Sequence, residues 1–564
     1  MKENGRNKYD EGGAGRQGGV TGFLVLLLVL IWGIGSAVAF NIPTGNDDLF
    51  IRWDNTIRYT LQQRLHGAEG RLISDINSDD GDRNFDVGIA QNRFDLFSEA
   101  DLIFKRDYGV RVSGAVWYDA RYDSSFDNDS VATSNHLENG QQAVGLSDWA
   151  DKYFRGPAGE VLDAFAFGRV NIGEAPVYLK AGRHTVYWGE ALLSPFNGIN
   201  FGQAPLDLGK ATATPGVEVK EVFRPLNQVS AVAQVSNSLT LAAQYFLQWE
   251  QNLVPEGGTY LAATDLNLKD SEVYLAAPGF VLLTHGEDIE PEEYRDFGVS
   301  ARWSPESLHG GTVGFYFRNT SDHLPQAIFN FADSTYHFAY GGDIQIYGLS
   351  YANTVFGGSM GSEVSIRRNM PLRSDPARYL VFDSALLPDD GELLGARGDT
   401  FHATVNFIGL LKRTPMWDSG SYTIELNYSS WMDVSENEET FKGHSNYNDF
   451  DAVTRDACTL NVNFGPQWLQ ILPGVDVTMP FSVGYGLWGV ASEINNGAKG
   501  EGSWGVGFNF DIFTKYKVNL NYVDFFGDVE LTNTGAVINR AGNGAGTAGL
   551  RDRDFVSLTL KTSF

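Results

Sequence analysis

The chain has 564 residues, a formal net charge of −28, 64 glycines, 13% aromatic residues and one cysteine, Cys458. A single cysteine excludes an intramolecular disulfide framework, and the acidity argues against nucleic acid or anionic phosphates as partners. No Pro- or Ser-rich linker divides the chain into the several apolar-cored domains that a soluble exported protein of this size would need.

In chain order, residues 1–39 read as a signal peptide. Lys2, Arg6, Lys8 and Arg16 form a basic start. An apolar run follows from Val20 to Ile34, and Ala37-Val38-Ala39 supplies a small-x-small cleavage site before Phe40. The competing reading is a retained transmembrane helix of roughly 18 apolar residues. Gly33, Gly35 and Ser36 break the run just before the cleavage site. No later stretch is long and apolar enough to span a bilayer as a helix, so a membrane protein built from residues 40–564 must be a barrel.

Beyond Phe40 the dominant signal is period two. Trp53, Asn55, Ile57, Tyr59 and Leu61 alternate with Arg52, Asp54, Thr56 and Arg58, as a strand between lipid and water should. The pattern recurs at Val110-Val112-Gly114-Val116-Tyr118, Tyr422-Ile424-Leu426-Tyr428, Trp504-Val506-Phe508-Phe510-Ile512 and Val518-Leu520-Tyr522. At the end of the chain, Val556, Leu558, Leu560, Thr562 and Phe564 oppose Ser557, Thr559 and Lys561. Strands are predicted at 49–66, 85–106, 108–124, 160–171, 175–188, 226–236, 238–250, 293–304, 311–320, 342–356, 361–370, 397–411, 419–432, 455–470, 476–490, 500–513, 515–527 and 553–564.

The connections alternate between tight turns, such as Arg106-Asp107 and Phe513-Thr514-Lys515, and long polar loops at 67–84, 125–159, 251–292, 371–396 and 528–552. Short periplasmic turns and long external loops are the asymmetry of an outer-membrane barrel. The reading is therefore all-β: a transmembrane, antiparallel, up-and-down β-barrel of about 18 strands, within a range of 14–18, over residues 40–564. An even count puts both ends of the barrel in the periplasm. The aromatic-ended last strand, closing at Phe564, fits recognition by the outer-membrane assembly machinery. Lipid and lipopolysaccharide are the expected surroundings, with divalent cations bridging acidic loops to the latter.

Residues 188–225 break the pattern. Gly, Pro and Asn stand there at turn spacing, yet Leu192, Leu193, Phe196, Ile199 and Leu206 are apolar. Such a loop either folds inward as a luminal constriction or caps the rim. Arg52, Asp54 and Arg58 on the first strand and Arg93, Asp95 and Glu99 on the second alternate against apolar residues, so they point into the lumen. They make either a structural salt-bridge ladder or a polar wall past which a solute moves.

Enzyme motifs are weak. Gly357-Gly358-Ser359-Met360-Gly361 has G-x-S-x-G spacing, but strands flank it on both sides where a nucleophile elbow needs a strand-to-helix turn. His309 lies in a turn, Cys458 is read as packing, and the nine histidines show no ligand spacing. The acidic runs Asp75-Asn77-Asp79-Asp80-Asp82 and Asp123-Asp127-Asp129 lack the EF-hand glycine and read as solvated loops. No catalysis, metal or cofactor is expected.

Gly182-Arg-His-Thr-Val-Tyr-Trp-Gly-Glu190 with the Asn197-Gly-Ile-Asn200 turn, and Thr214-Pro-Gly-Val-Glu-Val-Lys-Glu-Val-Phe-Arg-Pro225, resemble the proteobacterial outer-membrane family catalogued as domain of unknown function 1302. Similar stretches are Phe40–Gly45, Ile51–Tyr59, Asp343–Tyr351 and Gly361–Leu372, spread over nearly the whole mature chain; His184 stands where the family often has Gln. The resemblance implies a barrel whose genes accompany periplasmic lipid-carrier-like proteins and export or uptake systems for hydrophobic compounds. On it rests the expectation of a transport protein for a hydrophobic or amphipathic small molecule. Leu192, Leu193, Phe196 and Ile199 would meet the solute, and Arg183, Trp188 and Glu190 would fix the segment to the wall. A general hydrophilic porin, or a structural or surface-interaction barrel, are the alternatives.

Overall fold

The structure, a computed structural model, describes residues 40–564 apart from 214–216, 267, 270–271, 278–280 and 543–545. The signal peptide predicted over 1–39 lies outside the described residues, as do Thr214, Pro215 and Gly216 of the irregular segment. Among the described residues, no helix is long and apolar enough to cross a membrane.

Period-two alternation produces strands wherever it was predicted. In order these are β1 (Leu49–Arg64), β2 (Gly88–Phe104), β3 (Tyr108–Asp119), β4 (Ala158–Ile172), β5 (Ala175–His184), β6 (Leu226–Ser236), β7 (Leu239–Phe246), β8 (Phe297–Trp303) and β9 (Thr312–Thr320). They continue as β10 (Ile344–Val355), β11 (Gly358–Pro371), β12 (Arg397–Leu410), β13 (Ser419–Glu436), β14 (Asp456–Leu472), β15 (Val475–Thr478, resuming as Phe481–Trp488), β16 (Gly502–Ile512), β17 (Tyr516–Phe526) and β18 (Phe555–Ser563). Each pairs antiparallel with the next. β18 closes on β1 in the register Thr56↔Ser563 to Arg64↔Phe555. The short strand Phe40–Ile42 pairs only with the lower end of β1. The break in β15 falls at Met479-Pro480, where proline has no N–H to donate to the ladder. The result is an 18-stranded antiparallel barrel without an open edge.

Closure sets the ends. The Phe564 N–H donates to the Asn55 carbonyl (2.9 Å) and the Phe564 carbonyl accepts the Asn55 N–H in return (2.7 Å), so both described ends lie at the rim of the short turns. Those turns are tight enough to need left-handed backbone, as at Phe356-Gly357 (φ +52° and +79°), which matches the twist of the flanking strands. Apolar side chains such as Val112, Val299, Phe315 and Leu349 stand exposed on the outer face, while Arg58, Thr60, Gln62, Ser557 and Thr559 are buried inside. The barrel is apolar outside and polar inside, the architecture of the outer membrane, with lipid against its outer wall.

The long loops pack into a cap with its own small cores. One cluster joins Trp249, Leu268, Leu283, Tyr336, Phe338 and Tyr340, and it carries a four-stranded sheet formed by Val273–Ala277, Val281–His285, Gln326–Asn330 and Thr335–Ala339. A second joins Phe85, Tyr260, Phe525, Leu550 and Phe555 at the outer end of the barrel. This packing corrects one expectation. Asp75, Asp79, Asp80 and Asp82 are buried rather than solvated, because the loops fold over them. Asp82 Oδ1 accepts from Arg64 Nη2 and Arg553 Nε, both at 2.9 Å, and Asp80 accepts from the Asn135 N–H (2.8 Å) while its own N–H donates to Asp265 (3.1 Å). The second acidic run, Asp123, Asp127 and Asp129, is exposed.

Burial pushes the Asp79 carboxyl up to about 6. Burial, together with the repulsion of neighbouring carboxylates, also raises Asp80 and Asp265. A carboxyl raised in the folded cap stabilises it fully below the ordinary carboxylate range, and that contribution is lost as pH rises through the folded value. Hydrogen exchange, corrected for intrinsic rates, should therefore find residues 75–84 better protected at about pH 5 than at about pH 8. The reverse order would contradict the buried-acid account.

Candidate functional site

β5 ends abruptly. Gly182 has φ +120°, and a Cβ there would meet the Ala164 carbonyl at 2.4 Å. Two residues on, His184 is buried, with Nε2 against Ser230 Oγ (2.7 Å) and Nδ1 against the Gly182 carbonyl (2.9 Å). This clamp joins β5 to β6 and releases the chain inward between them. The described residues of 185–225 then cross the lumen from one wall to the other and return, forming the inward-folded loop.

The outgoing limb seats on β7 to β14 by its backbone. Glu363 on β11 accepts the N–H groups of Glu190, Ala191 (3.3 Å) and Ile199 (2.7 Å). Glu425 on β13 accepts those of Leu192 (2.6 Å) and Leu193 (3.1 Å). Asn197 donates to Thr404 (3.0 Å) and faces His402 (3.0 Å), and Ser194 accepts from Asn427 and Asn461, both at 2.9 Å. Two glycines on the wall make room: a Cβ at Gly348 would meet Ile199 at 2.7 Å, and one at Gly298 would meet the Trp188 ring at 2.7 Å.

The returning limb carries two short helices, Leu208–Ala213 and Val219–Val222, and seats on the opposite wall by charge. Glu221 pairs with Arg58 (3.0 Å), Lys220 with Glu99 (3.7 Å), Glu218 with Lys561 (2.5 Å) and Lys210 with Glu160. Arg224 meets Glu250 (2.9 Å), which also holds Arg183 (2.8 Å). Lys210 in addition sits 4.3 Å over the Trp117 ring.

The predicted luminal charges fall on this second wall. Asp95 lies between Arg58 (3.3 Å) and Arg93 (2.9 Å), buried, and Glu99 faces Arg111 (3.8 Å) as well as Lys220. Arg52 and Asp54 pair with each other (2.5 Å) nearer the rim of the short turns, apart from the segment. Of the residues assigned to the wall contact, Trp188 donates its N–H to Gln203 (2.8 Å), and Glu190 faces Ser350 (3.4 Å) and Arg302 (3.8 Å).

The apolar four divide. Leu192 is 48% exposed and Leu193 half-buried, so both present surface. Phe196 packs on a cluster of Phe201, Ile344, Ile346 and Met370. Ile199 is fully buried in the socket left by Gly348 and offers nothing to a solute. Its expected role is corrected to that of an anchor.

Glu363, Glu425, Arg318 and Arg367 hold the segment and were not singled out from the sequence. Alternation contained the signal for two of them: Glu363 and Arg367 share the inward phase of Gly361–Leu372, with Val364 and Ile366 outward. The G-x-S-x-G run lies at a hairpin between β10 and β11 with no helix after it. Cys458 is buried in β14. Among the described residues, no group of three or more His, Cys, Asp or Glu is placed to hold a metal ion.

A family model described as a protein of unknown function (DUF1302) matches residues 20–564. No curated protein matches the chain. Among solved structures it is similar to OccK1 (OpdK) of Pseudomonas aeruginosa at 10% identity, covering 91% of this chain and 98% of that one with a TM-score of 0.39. OccAB4 of Acinetobacter baumannii is similar at 11% identity, with 91% and 98% covered and a TM-score of 0.38. OccK2 (OpdF) of Pseudomonas aeruginosa in complex with glucuronate is similar at 11%, with 91% and 98% covered and a TM-score of 0.36.

Hydrogen bonds to a buried charge are worth roughly 1.5–3 kcal/mol each, so Glu363→Ala should loosen the outgoing limb by at least that much. Single-channel recording in planar bilayers should then show larger or more frequent openings than in the unaltered protein. Unchanged conductance in a correctly folded variant would mean that Glu363 does not hold the segment in place.

Proposed function

The chain belongs to the DUF1302 family, and on that premise we propose that it is an outer-membrane channel for a hydrophobic or amphipathic small molecule. The observation that carries this reading is the loop crossing the lumen from the Glu363 and Glu425 wall to the Arg58 and Lys561 wall, with Leu192 and Leu193 presenting apolar surface beside it. An 18-stranded barrel is wide enough for an aqueous pore, and a segment anchored on both sides of it favours selection over free passage. Solute would pass Leu192 and Leu193 when the outgoing limb shifts. Arg183, Trp188 and Glu190 would hold its base, and the pairs around Arg93, Asp95 and Glu99 would keep the opposite wall rigid.

A general hydrophilic porin would need a permanently open lumen, which this seating disfavours. In the proposed role, a cleaved signal peptide delivers the chain to the outer membrane, and a periplasmic carrier-like protein with an export or uptake system handles the cargo on the inner side. The last two partners rest on the family resemblance alone.

The test is uptake and efflux of hydrophobic and amphipathic solutes in a deletion strain, complemented with the full chain or with one lacking residues 191–210. The full chain should restore transport, and the shortened one should lose selectivity and pass hydrophilic solutes. Equal behaviour of the two would remove the constriction role. Ordinary transport in the uncomplemented strain would remove transport itself.

A further inference from the structure

Resting on the channel reading, we propose that the seat of the Gly198–Phe201 turn is a binding site for the carboxylate of an amphipathic organic anion, which enters by displacing that turn. The turn lies against two arginines. Arg367 Nη2 donates to the Gly198 carbonyl (2.9 Å), and Arg318 Nη1 donates to the carbonyls of Ile199 (3.1 Å) and Phe201. Both guanidiniums are fully buried. The two are also aligned: Arg318 on β9 and Arg367 on β11 are each in register with Ile346 on β10, so they face the same level of the lumen.

Neither arginine has an ion-pair partner among the described residues, and Arg318 Nε, Arg367 Nε and Arg367 Nη1 have no hydrogen-bond acceptor at all. The carboxylates that act on them from a distance are committed elsewhere. Glu363 holds the loop N–H groups, Glu493 takes Ser492 (2.9 Å) and Asn496 (3.2 Å), Asp296 takes Ser321 (2.9 Å) and Asp322 takes the Leu324 N–H (2.9 Å).

A buried guanidinium satisfied only by neutral groups (the turn carbonyls, the Thr320 hydroxyl 3.3 Å from Arg318 Nη2, and the Phe201 ring 4.4 Å from Arg367) is costly, and its planar fork matches a carboxylate in two parallel hydrogen bonds. The Gly198–Phe201 carbonyls therefore stand where a negative group would bind more strongly. Displacing the turn uncovers an apolar patch beside the arginines for the tail of such a ligand: Ile344, Ile346 and Met370, which Phe196 and Phe201 cover while the turn is seated. Charge next to an apolar patch selects an amphipathic anion over a neutral or cationic compound of the same size.

The test uses 4-butylbenzoate and its neutral counterpart 4-butylbenzamide as probes. Ile199→Cys in a Cys458→Ser background places a thiol under the latched turn. Maleimide labelling should accelerate roughly tenfold with the carboxylate and not with the amide. In Arg318→Gln/Arg367→Gln the acceleration should vanish, and in Arg318→Lys/Arg367→Lys it should persist in part, with heat-modifiable gel mobility checking that each barrel is folded. Acceleration by the amide as strong as by the acid, acceleration retained without the arginines, or none in the parent overturns the proposal. Flux of both probes into proteoliposomes reads the channel separately: accelerated labelling without flux keeps the anion site and removes transport.

Discussion

Every other feature depends on the need to satisfy backbone N–H and C=O groups where no water reaches them. In lipid the only sheet that does this is one closed on itself, and the pairing of β18 with β1 supplies the closure. Closure at this strand number has a second consequence. Eighteen strands enclose a lumen wider than the wall side chains can fill, so something else must occupy it if the barrel is not to be a simple pore. The described residues of 185–225 are that occupant.

The occupant is held by two kinds of chemistry on opposite walls. On one side, backbone N–H groups converge on Glu363 and Glu425, much as successive amides converge on an anion in a nest. On the other, side-chain charges pair across the interface, as in Glu221 with Arg58 and Glu218 with Lys561. Buried pairs of this sort contribute little net stability but are costly to break one partner at a time. They therefore specify where the segment sits more than they stabilise the barrel. Exposed Leu192 and half-buried Leu193 are left beside the seat, and the uncompensated arginines beneath it.

The strands were legible because burial on one face and lipid on the other impose period two, and each predicted segment contains its strand apart from at most four residues at an end, the largest excesses being at Gly358–Pro371 and Ser419–Glu436. That the loop folds inward or caps the rim was legible because apolar residues such as Leu192, Phe196 and Leu206 have no reason to stand in water; which of the two it does was not. The anchors were not. Ile199 reads as one more solute-facing side chain until the absence of a Cβ at Gly348, far along the chain, is brought opposite it. The acids between Asp75 and Asp82 read as solvated because their partners, Arg553 and Asp265, come from loops hundreds of residues away.

The sequence by itself determined the class of architecture, the strand set and which segment departs from the wall. All of these follow from local alternation and from the lengths of the connections. Only the tertiary structure decided which wall receives each limb, which apolar side chain anchors and which stays exposed, and that two arginines lie buried under a turn of neutral carbonyls. The physical reason is that alternation assigns a residue to a face and says nothing of what stands across the lumen from it. A closed barrel brings together residues such as Leu192 and Glu425, or Glu218 and Lys561, whose separation along the chain leaves no periodic trace.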